Sequence, residues 1–98
     1  MPIRTMMKDI RNAQIRIMGR VQGVGFRYYA VQKASEMRIL GFVKNMHDGS
    51  VFIEAEGVES DLDRYILWCR KGPASARVDN LDITPGVVKN YHDFSVRH

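Results

Sequence analysis

The feature that most constrains the fold is a change in the spacing of apolar residues across a glycine-rich loop. From Asn12 to Met18, apolar and polar side chains alternate, which is typical of a strand with one buried face. After GRVQGVG (residues 19–25, the glycine loop), apolar residues recur at three- and four-residue steps, which indicates a helix with one apolar stripe. The stripe consists of Phe26, Tyr29, Ala30, Ala34 and Met37. A strand is therefore followed directly by a helix.

The rest of the chain continues with a hairpin, a second helix and two shorter strands. Asp48-Gly49 is a strong signal for the turn of the hairpin. The second helix has Ser60 as its predicted N-cap, and Gly72-Pro73 ends it. The predicted strands cover residues 12–18, 40–46, 51–56, 77–84 and 92–97.

This order of elements is the split βαβ pattern. It predicts an α+β fold, a ferredoxin-like βαββαβ sandwich with an antiparallel sheet of four to five strands and two helices on one face. The chain has 98 residues, enough for one hydrophobic core, so residues 12–98 are predicted to form a single domain. Residues 1–11 are predicted to be a mobile N-terminal arm. Many unrelated functions share this fold, so function has to be inferred from a site.

The composition of the chain excludes some cellular locations and ligands and favours others. No apolar run approaches the roughly 20 residues that span a bilayer, and the N-terminus lacks the apolar core of a signal peptide. Cys69 is the single cysteine, which excludes an internal disulfide and favours a cytoplasmic location. Lys and Arg outnumber Asp and Glu by 15 to 11, and the formal charge of +4 favours anionic ligands. The charges are dispersed, which does not favour nucleic acid, and the histidines lack metal-site spacing.

The glycine loop and Arg27 together suggest an anion site. Gly23 and Gly25 allow a tight turn that brings backbone N–H groups close to a bound anion at the start of a helix. Arg27 lies in the first helical turn, where its guanidinium can donate two parallel hydrogen bonds to phosphate oxygens. Alternatively, the glycines serve only the turn and Arg27 is a solvated helix residue. The residues alone leave both interpretations open.

Asn45 is the second candidate site residue. It shares a face of its predicted strand with Val43, so it faces the helices if Val43 does. In one interpretation Asn45 begins the turn of the hairpin, as Asn often does. In the other, its carboxamide holds a water molecule in line with a bound phosphorus atom.

Three motifs, GRVQGVGFR (residues 19–27), GFVKN (41–45) and DGSV (48–51), closely resemble the signature of the acylphosphatase family. The resemblance extends to Gly72-Pro73 and to Phe-Ser-Val at 94–96, and covers roughly residues 12–97. Three spaced motifs in the right order are far more specific than any one of them. One departure is Arg38, which stands where the family usually carries glycine after the first helix.

The resemblance implies an enzyme that hydrolyses acyl phosphates, small molecules with a carboxyl-phosphate bond, to carboxylate and phosphate. In such enzymes an arginine at the position of Arg27 binds the phosphoryl group, and an asparagine at the position of Asn45 orients the attacking water. The loop amides that complete the phosphate site belong to Gln22, Gly23, Val24, Gly25 and Phe26. The same loop is expected to bind phosphate or sulfate as a free anion. No metal ion or organic cofactor is implied, and a monomer is expected.

Two other functions fit the same topology. An RNA-binding domain of the RRM type stacks bases on strand aromatics, and Phe42 and Phe52 lie on adjacent predicted strands. The characteristic RRM run of glycine and aromatic residues is absent. A phosphate-binding module without turnover is the other alternative.

Overall fold

A computed structural model describes residues 9–98, so most of the predicted N-terminal arm, residues 1–8, lies outside the described part. Five strands and two helices follow one another in the predicted order. The elements are β1 (Ile10–Arg20), α1 (Phe26–Met37), β2 (Leu40–Asn45), β3 (Val51–Val58), α2 (Glu59–Lys71), β4 (Arg77–Gly86) and β5 (Phe94–Arg97).

The strands form one sheet in the order β4-β1-β3-β2-β5. The predicted antiparallel arrangement holds for β4, β1, β3 and β2, but β5 runs parallel to β2. The register explains this difference. The end of β4 at Gly86 and the start of β2 at Leu40 both lie level with the Asn12–Glu56 pair, at one end of the sheet. The chain crosses from β4 to the opposite edge at that end, so β5 begins where β2 begins and takes the same direction.

The hydrophobic core lies between the sheet and the two helices. On β1 the predicted inward residues Ala13, Ile15 and Ile17 are all buried. Phe26 at the start of α1 and Tyr65 of α2 are buried against them, and the Tyr65 hydroxyl donates a 2.8 Å hydrogen bond to the carbonyl of Ala30. The predicted ferredoxin-like sandwich is thus confirmed, with both helices packed on one face.

Several strand ends differ from the predicted ones by one or two residues, and two boundaries differ for a clear physical reason. Ile10 and Arg11, assigned to the arm from the sequence, belong to β1 because they pair with Val58 and Gly57 of β3. Helix α2 begins at Glu59 with Val58 as its N-cap, so the predicted N-cap Ser60 lies inside the first turn. Strand β3 therefore continues into α2 without a connecting loop.

The face of the sheet opposite the helices carries a buried polar cluster. The carboxylates of Glu54 and Glu56 on β3 are on residues only 5% and 2% exposed. The Asn12 amide nitrogen donates to Glu54 at 3.0 Å and to Glu56 at 2.9 Å. The connection between β4 and β5 (residues 87–93, the strap) lies across this face. Two sets of contacts hold the strap on this face. The Lys89 ammonium pairs with Glu54, and the backbone N–H groups of Lys89 and Tyr91 donate to Glu56.

The cluster predicts acid sensitivity. Burial alone would raise the pKa of Glu54 and Glu56, but the hydrogen bonds from Lys89, Asn12 and the strap backbone outweigh it, and both pKa values lie below the usual 4.5. A carboxyl with a depressed folded-state pKa stabilises the fold above its unfolded-state pKa, and that contribution is lost as pH falls through the folded-state pKa. We expect the free energy of unfolding to decline below pH 4.5.

Urea denaturation at a series of pH values measures this decline. The double variant Glu54→Gln/Glu56→Gln keeps the shape of both side chains but removes both titrating groups, so its stability should depend less steeply on pH in the acid range. Identical acid slopes for the double variant and the parent would show that the cluster is not responsible.

Helix α1 ends in a left-handed residue that is not glycine. Arg38 has φ 60° and ψ 44°, and the next N–H, that of Ile39, donates to the carbonyl of Ala34 at 2.8 Å. The side-chain Cβ makes this conformation unfavourable for any residue except glycine, by roughly 1 kcal/mol.

Replacing Arg38 by Gly should therefore stabilise the protein by about 0.5–1 kcal/mol, the gain being reduced by the greater freedom of glycine in the unfolded chain. Arg38→Ala is the matched control, because it removes the guanidinium but retains the Cβ. Chemical denaturation of both variants separates the two effects. An equal gain from Arg38→Ala would assign the effect to charge instead of backbone conformation.

Candidate active site

In the structure, β1 extends to Arg20, so only residues 21–25 of the glycine loop lie between β1 and α1. Gly23 and Gly25 have φ values of 74° and 79°, in the left-handed region that favours glycine. Gly25 is the N-cap residue of α1 and provides no side-chain cap, so the first N–H groups of the helix remain available. Within residues 9–98, none of the backbone N–H groups of residues 22–26 donates a hydrogen bond to another protein group.

Both sides of the loop are fixed to neighbouring elements. The Gln22 side-chain amide donates 2.8 Å hydrogen bonds to the carbonyls of Met46 and Ser50 in the β2–β3 turn. The Ser75 hydroxyl donates to the Val24 carbonyl at 2.6 Å. The loop is thus held by its side chain and carbonyl groups, and its N–H groups are left free for a ligand.

Arg27 and Asn45 line one cavity of about 360 Å³ next to this loop. Arg27 projects from the first turn of α1, and Asn45 is the last residue of β2. Both side chains are half-buried, and neither makes a side-chain hydrogen bond or ion pair in the described part of the chain. Asn45 faces the helices, as expected from Val43, which is fully buried on the same face. The complete lining is Val21, Gly23, Gly25, Phe26, Arg27, Tyr28, Asn45, Val96 and His98.

The charge of the cavity suits an anion. Its lining, as far as residues 9–98 form it, includes Arg27 but no Asp or Glu. Asp48, the acidic residue of the adjacent turn, is neutralised by an ion pair with Arg16 and accepts hydrogen bonds from the N–H and hydroxyl of Ser50. An anion at Arg27 would also meet the positive end of the α1 dipole.

The predicted site residues do not all share one environment. Gly23, Gly25, Phe26, Arg27 and Asn45 line the cavity together. Gln22 and Val24 belong to the loop but do not line the cavity. The Gln22 side chain bonds to the hairpin turn instead. The cavity is also lined by residues that the sequence did not indicate as site residues: Val21, Tyr28, Val96 and His98. Val96 reaches it because β5 pairs with β2, Val96 opposite Val43, and a pairing so distant in sequence left no local signal.

A larger cavity, about 480 Å³, lies at the other end of β2, near Leu40 and Arg38. Its lining contains the acidic residues Glu56 and Asp61 and no part of the glycine loop. Size therefore favours this cavity, but the free N–H groups and the unpaired guanidinium favour the smaller one as the anion site.

Comparison with known proteins identifies the family of the chain. The family model described as acylphosphatase matches residues 13–96. The chain belongs to the acylphosphatase family. It is 51% identical to the acylphosphatase of Mannheimia succiniciproducens over 86 residues, which cover 87% of this chain and 96% of that protein. The resemblance stated from the three motifs is thereby confirmed.

Solved structures show the same fold. The crystal structure of acylphosphatase from Bacillus subtilis matches with a TM-score of 0.87 and 35% identity, over 90% of this chain and 99% of that one. Full-length HypF, in its phosphate- and nucleotide-bound form, matches with a TM-score of 0.84 and 30% identity, over 94% of this chain but only 12% of HypF. The acylphosphatase fold thus also occurs as a small part of a larger protein.

No helix among residues 9–98 is long and apolar enough to cross a membrane. The same part of the chain contains no group of three or more His, Cys, Asp or Glu side chains arranged to hold a metal ion. Cys69 is fully buried, and burial raises the pKa of its thiol far above the usual value, so it is a packing residue and not a nucleophile.

The hydrogen bonds of Gln22 predict a measurable link between the loop and the hairpin turn. Gln22→Ala should lower the free energy of unfolding by about 1 kcal/mol, because two hydrogen bonds are lost in a half-buried setting. It should also speed amide hydrogen exchange at Met46 and Gly49, which form the turn. The control is Gln14→Ala, since Gln14 is half-buried on β1 and its amide bonds to no other described residue. Unchanged exchange in the turn would mean that Gln22 does not hold it.

Proposed function

We propose that the protein hydrolyses acyl phosphates to a carboxylate and inorganic phosphate by direct attack of water. The observation that carries this proposal is the meeting of Arg27 and Asn45, from different elements, beside free backbone N–H groups in a member of the acylphosphatase family. A phosphate donor set and a group able to position water thus share one cavity.

The phosphoryl group would be held by Arg27 and the loop N–H groups. The guanidinium can donate two hydrogen bonds to phosphate oxygens, and the N–H groups at the start of α1 can donate to the others. Charge on these oxygens changes as the phosphorus is attacked, and donors fixed in place before the reaction stabilise that change without reorganising. The anchoring of the loop by Gln22 and Ser75 would provide that rigidity. Free phosphate or sulfate should bind to the same donors.

Asn45 would place the attacking water. Its carboxamide can accept a hydrogen bond from the water and donate one to it, which fixes the oxygen next to the phosphorus. As the bond from the water oxygen to phosphorus forms, the bond from phosphorus to the acyl oxygen breaks, and the carboxylate departs with its electron pair. A carboxylate is stable at neutral pH without protonation, so no general acid is required. The proton of the water would pass to an oxygen of the phosphoryl group itself.

This mechanism needs positioning and charge stabilisation but neither a covalent nucleophile nor a metal ion. Correct placement of two reactants can provide several kcal/mol of the barrier reduction, on the order of 7–11 kcal/mol in well-oriented systems. The expectation that no cofactor is required stays a prediction, as do a monomeric state and a cytoplasmic location.

The RNA-binding alternative has less support in the structure. Phe42 is only 6% exposed. The Arg97 guanidinium lies 3.9 Å from the centre of its ring, and Tyr91 of the strap packs against it at 6.1 Å between ring centres. Phe42, one of the two strand aromatics on which an RNA base would stack, is therefore already covered.

Steady-state hydrolysis of benzoyl phosphate in the presence of EDTA tests the proposal. The parent protein should turn over the substrate, and Arg27→Gln and Asn45→Ala should each reduce kcat/KM by at least about 100-fold, corresponding to roughly 3 kcal/mol for a well-placed donor. Arg70→Gln and Asn80→Ala are matched controls, because both residues are exposed and lie outside the cavity.

The outcomes separate the two roles. Turnover that survives Asn45→Ala would leave the phosphate site in place but remove the assigned role of the amide. A well-folded parent that binds phosphate without turnover would be a non-catalytic binding module. A parent that neither binds phosphate nor hydrolyses benzoyl phosphate would contradict the proposal altogether.

A further inference from the structure

The cavity at Arg27 has a second region that the phosphoryl group does not require. Beyond the glycine loop its lining continues over Tyr28, Val96 and His98. Tyr28 is 61% exposed and Val96 38% exposed, so both present apolar surface at the cavity next to the phosphate donors. The total volume of about 360 Å³ is within the range of about 300–1,000 Å³ typical of small-molecule sites. A substrate bound at Arg27 would place its acyl group against this surface.

Charge restricts which acyl groups suit this region. Arg27 is the one Lys or Arg among the lining residues of the described chain, and the transferred phosphoryl group would occupy it. The remaining lining offers a tyrosine ring, valine side chains and the imidazole of His98. A second phosphate on the acyl group would find no guanidinium or ammonium there, whereas an apolar or aromatic acyl group would find matching surface.

The Tyr28 ring is held in position by two neighbours on α1. It makes an edge-to-face contact with Tyr29, with ring centres 5.2 Å apart and planes at 80°. The Gln32 amide donates a 3.3 Å hydrogen bond to the Tyr28 hydroxyl from the next turn of α1. A ring ordered before binding loses less conformational freedom when a ligand stacks on it.

We infer that Tyr28 and Val96 form an acyl-group subsite, with Tyr28 as a specificity-determining residue, and that the preferred substrates carry an uncharged aromatic or apolar acyl group. This inference rests on the proposed function, because it assumes that the phosphoryl group lies at Arg27. The enzyme should then bind aromatic acyl phosphates more tightly than small or phosphorylated ones, with little difference in kcat. The reason is that the acyl group contacts the same surface before and during the reaction.

The test compares kcat/KM for benzoyl phosphate, acetyl phosphate and 1,3-bisphosphoglycerate in the parent, Tyr28→Ala and Tyr28→Phe. In Tyr28→Ala the ratio of benzoyl to acetyl phosphate should fall by about five- to tenfold, the size expected for loss of one aromatic contact, and through KM more than kcat. Tyr28→Phe retains the ring and should keep the ratio. Leu67→Ala is the control, because Leu67 is an exposed apolar residue of α2 outside the cavity.

Inhibition by inorganic phosphate provides an independent readout of the phosphate donors. An inhibition constant for Tyr28→Ala close to that of the parent, with an altered substrate ratio, would assign the effect to the acyl group. An unchanged ratio in Tyr28→Ala, or a parent that prefers 1,3-bisphosphoglycerate, would overturn the inference while leaving the proposed function intact. A parent that hydrolyses none of the three substrates would overturn both.

Discussion

Burial of one face of the sheet beneath both helices is the constraint from which the candidate site follows. Val43 is fully buried on that face, and Asn45, two residues further along β2, must point the same way. Phe26 is buried at the start of α1, which places Arg27 beside it at the edge of the core. A shift of β2 by one residue against β3 would turn Asn45 to the opposite face and separate it from Arg27. The packing that stabilises the domain thus also sets the distance between its two candidate functional groups.

The opposite face of the sheet contributes to the same site through β5. Burying carboxylates such as those of Glu54 and Glu56 destabilises the fold unless they are paired with a cation and hydrogen-bonded. The strap provides the cation through Lys89 and hydrogen bonds through its backbone N–H groups. Fixing the strap at one end of the sheet determines where β5 begins and its direction beside β2. Val96 then lies opposite Val43 and forms part of the cavity wall. A polar cluster remote from the cavity is therefore part of what shapes it.

Local patterns in the sequence predicted most elements, and long-range pairings account for what was missed. The alternation around Ile15 and the start of α1 at Phe26 were readable because each depends on nearby residues. The buried polar cluster beneath the strap could not be predicted in this way, because Asn12 and Glu56, 44 positions apart, meet only when β1 pairs with β3. The N-cap at Ser60 was wrong because β3 continues directly into α2, which a capping rule based on residue type does not detect. For the site, the motifs indicated Arg27 and Asn45, but the cavity wall at Val96 depends on the direction of β5.

The distribution of hydrogen bonds distinguishes the cavity from the rest of the described chain. Several buried or half-buried polar groups elsewhere have partners: Gln22 bonds to the hairpin turn, Tyr65 to α1, and the Glu54 carboxylate to Asn12 and the strap. The Asn12 side-chain oxygen is buried without a partner against Gly86, and the half-buried Gln14 amide bonds to no other described residue. A half-buried guanidinium, a half-buried amide and free backbone N–H groups occur together only beside the glycine loop, as far as residues 9–98 show. Partly desolvated donors without protein partners weaken a fold. Their concentration at one place is the arrangement that the proposed phosphoryl group requires, because an anion with several oxygens can accept hydrogen bonds from all of them.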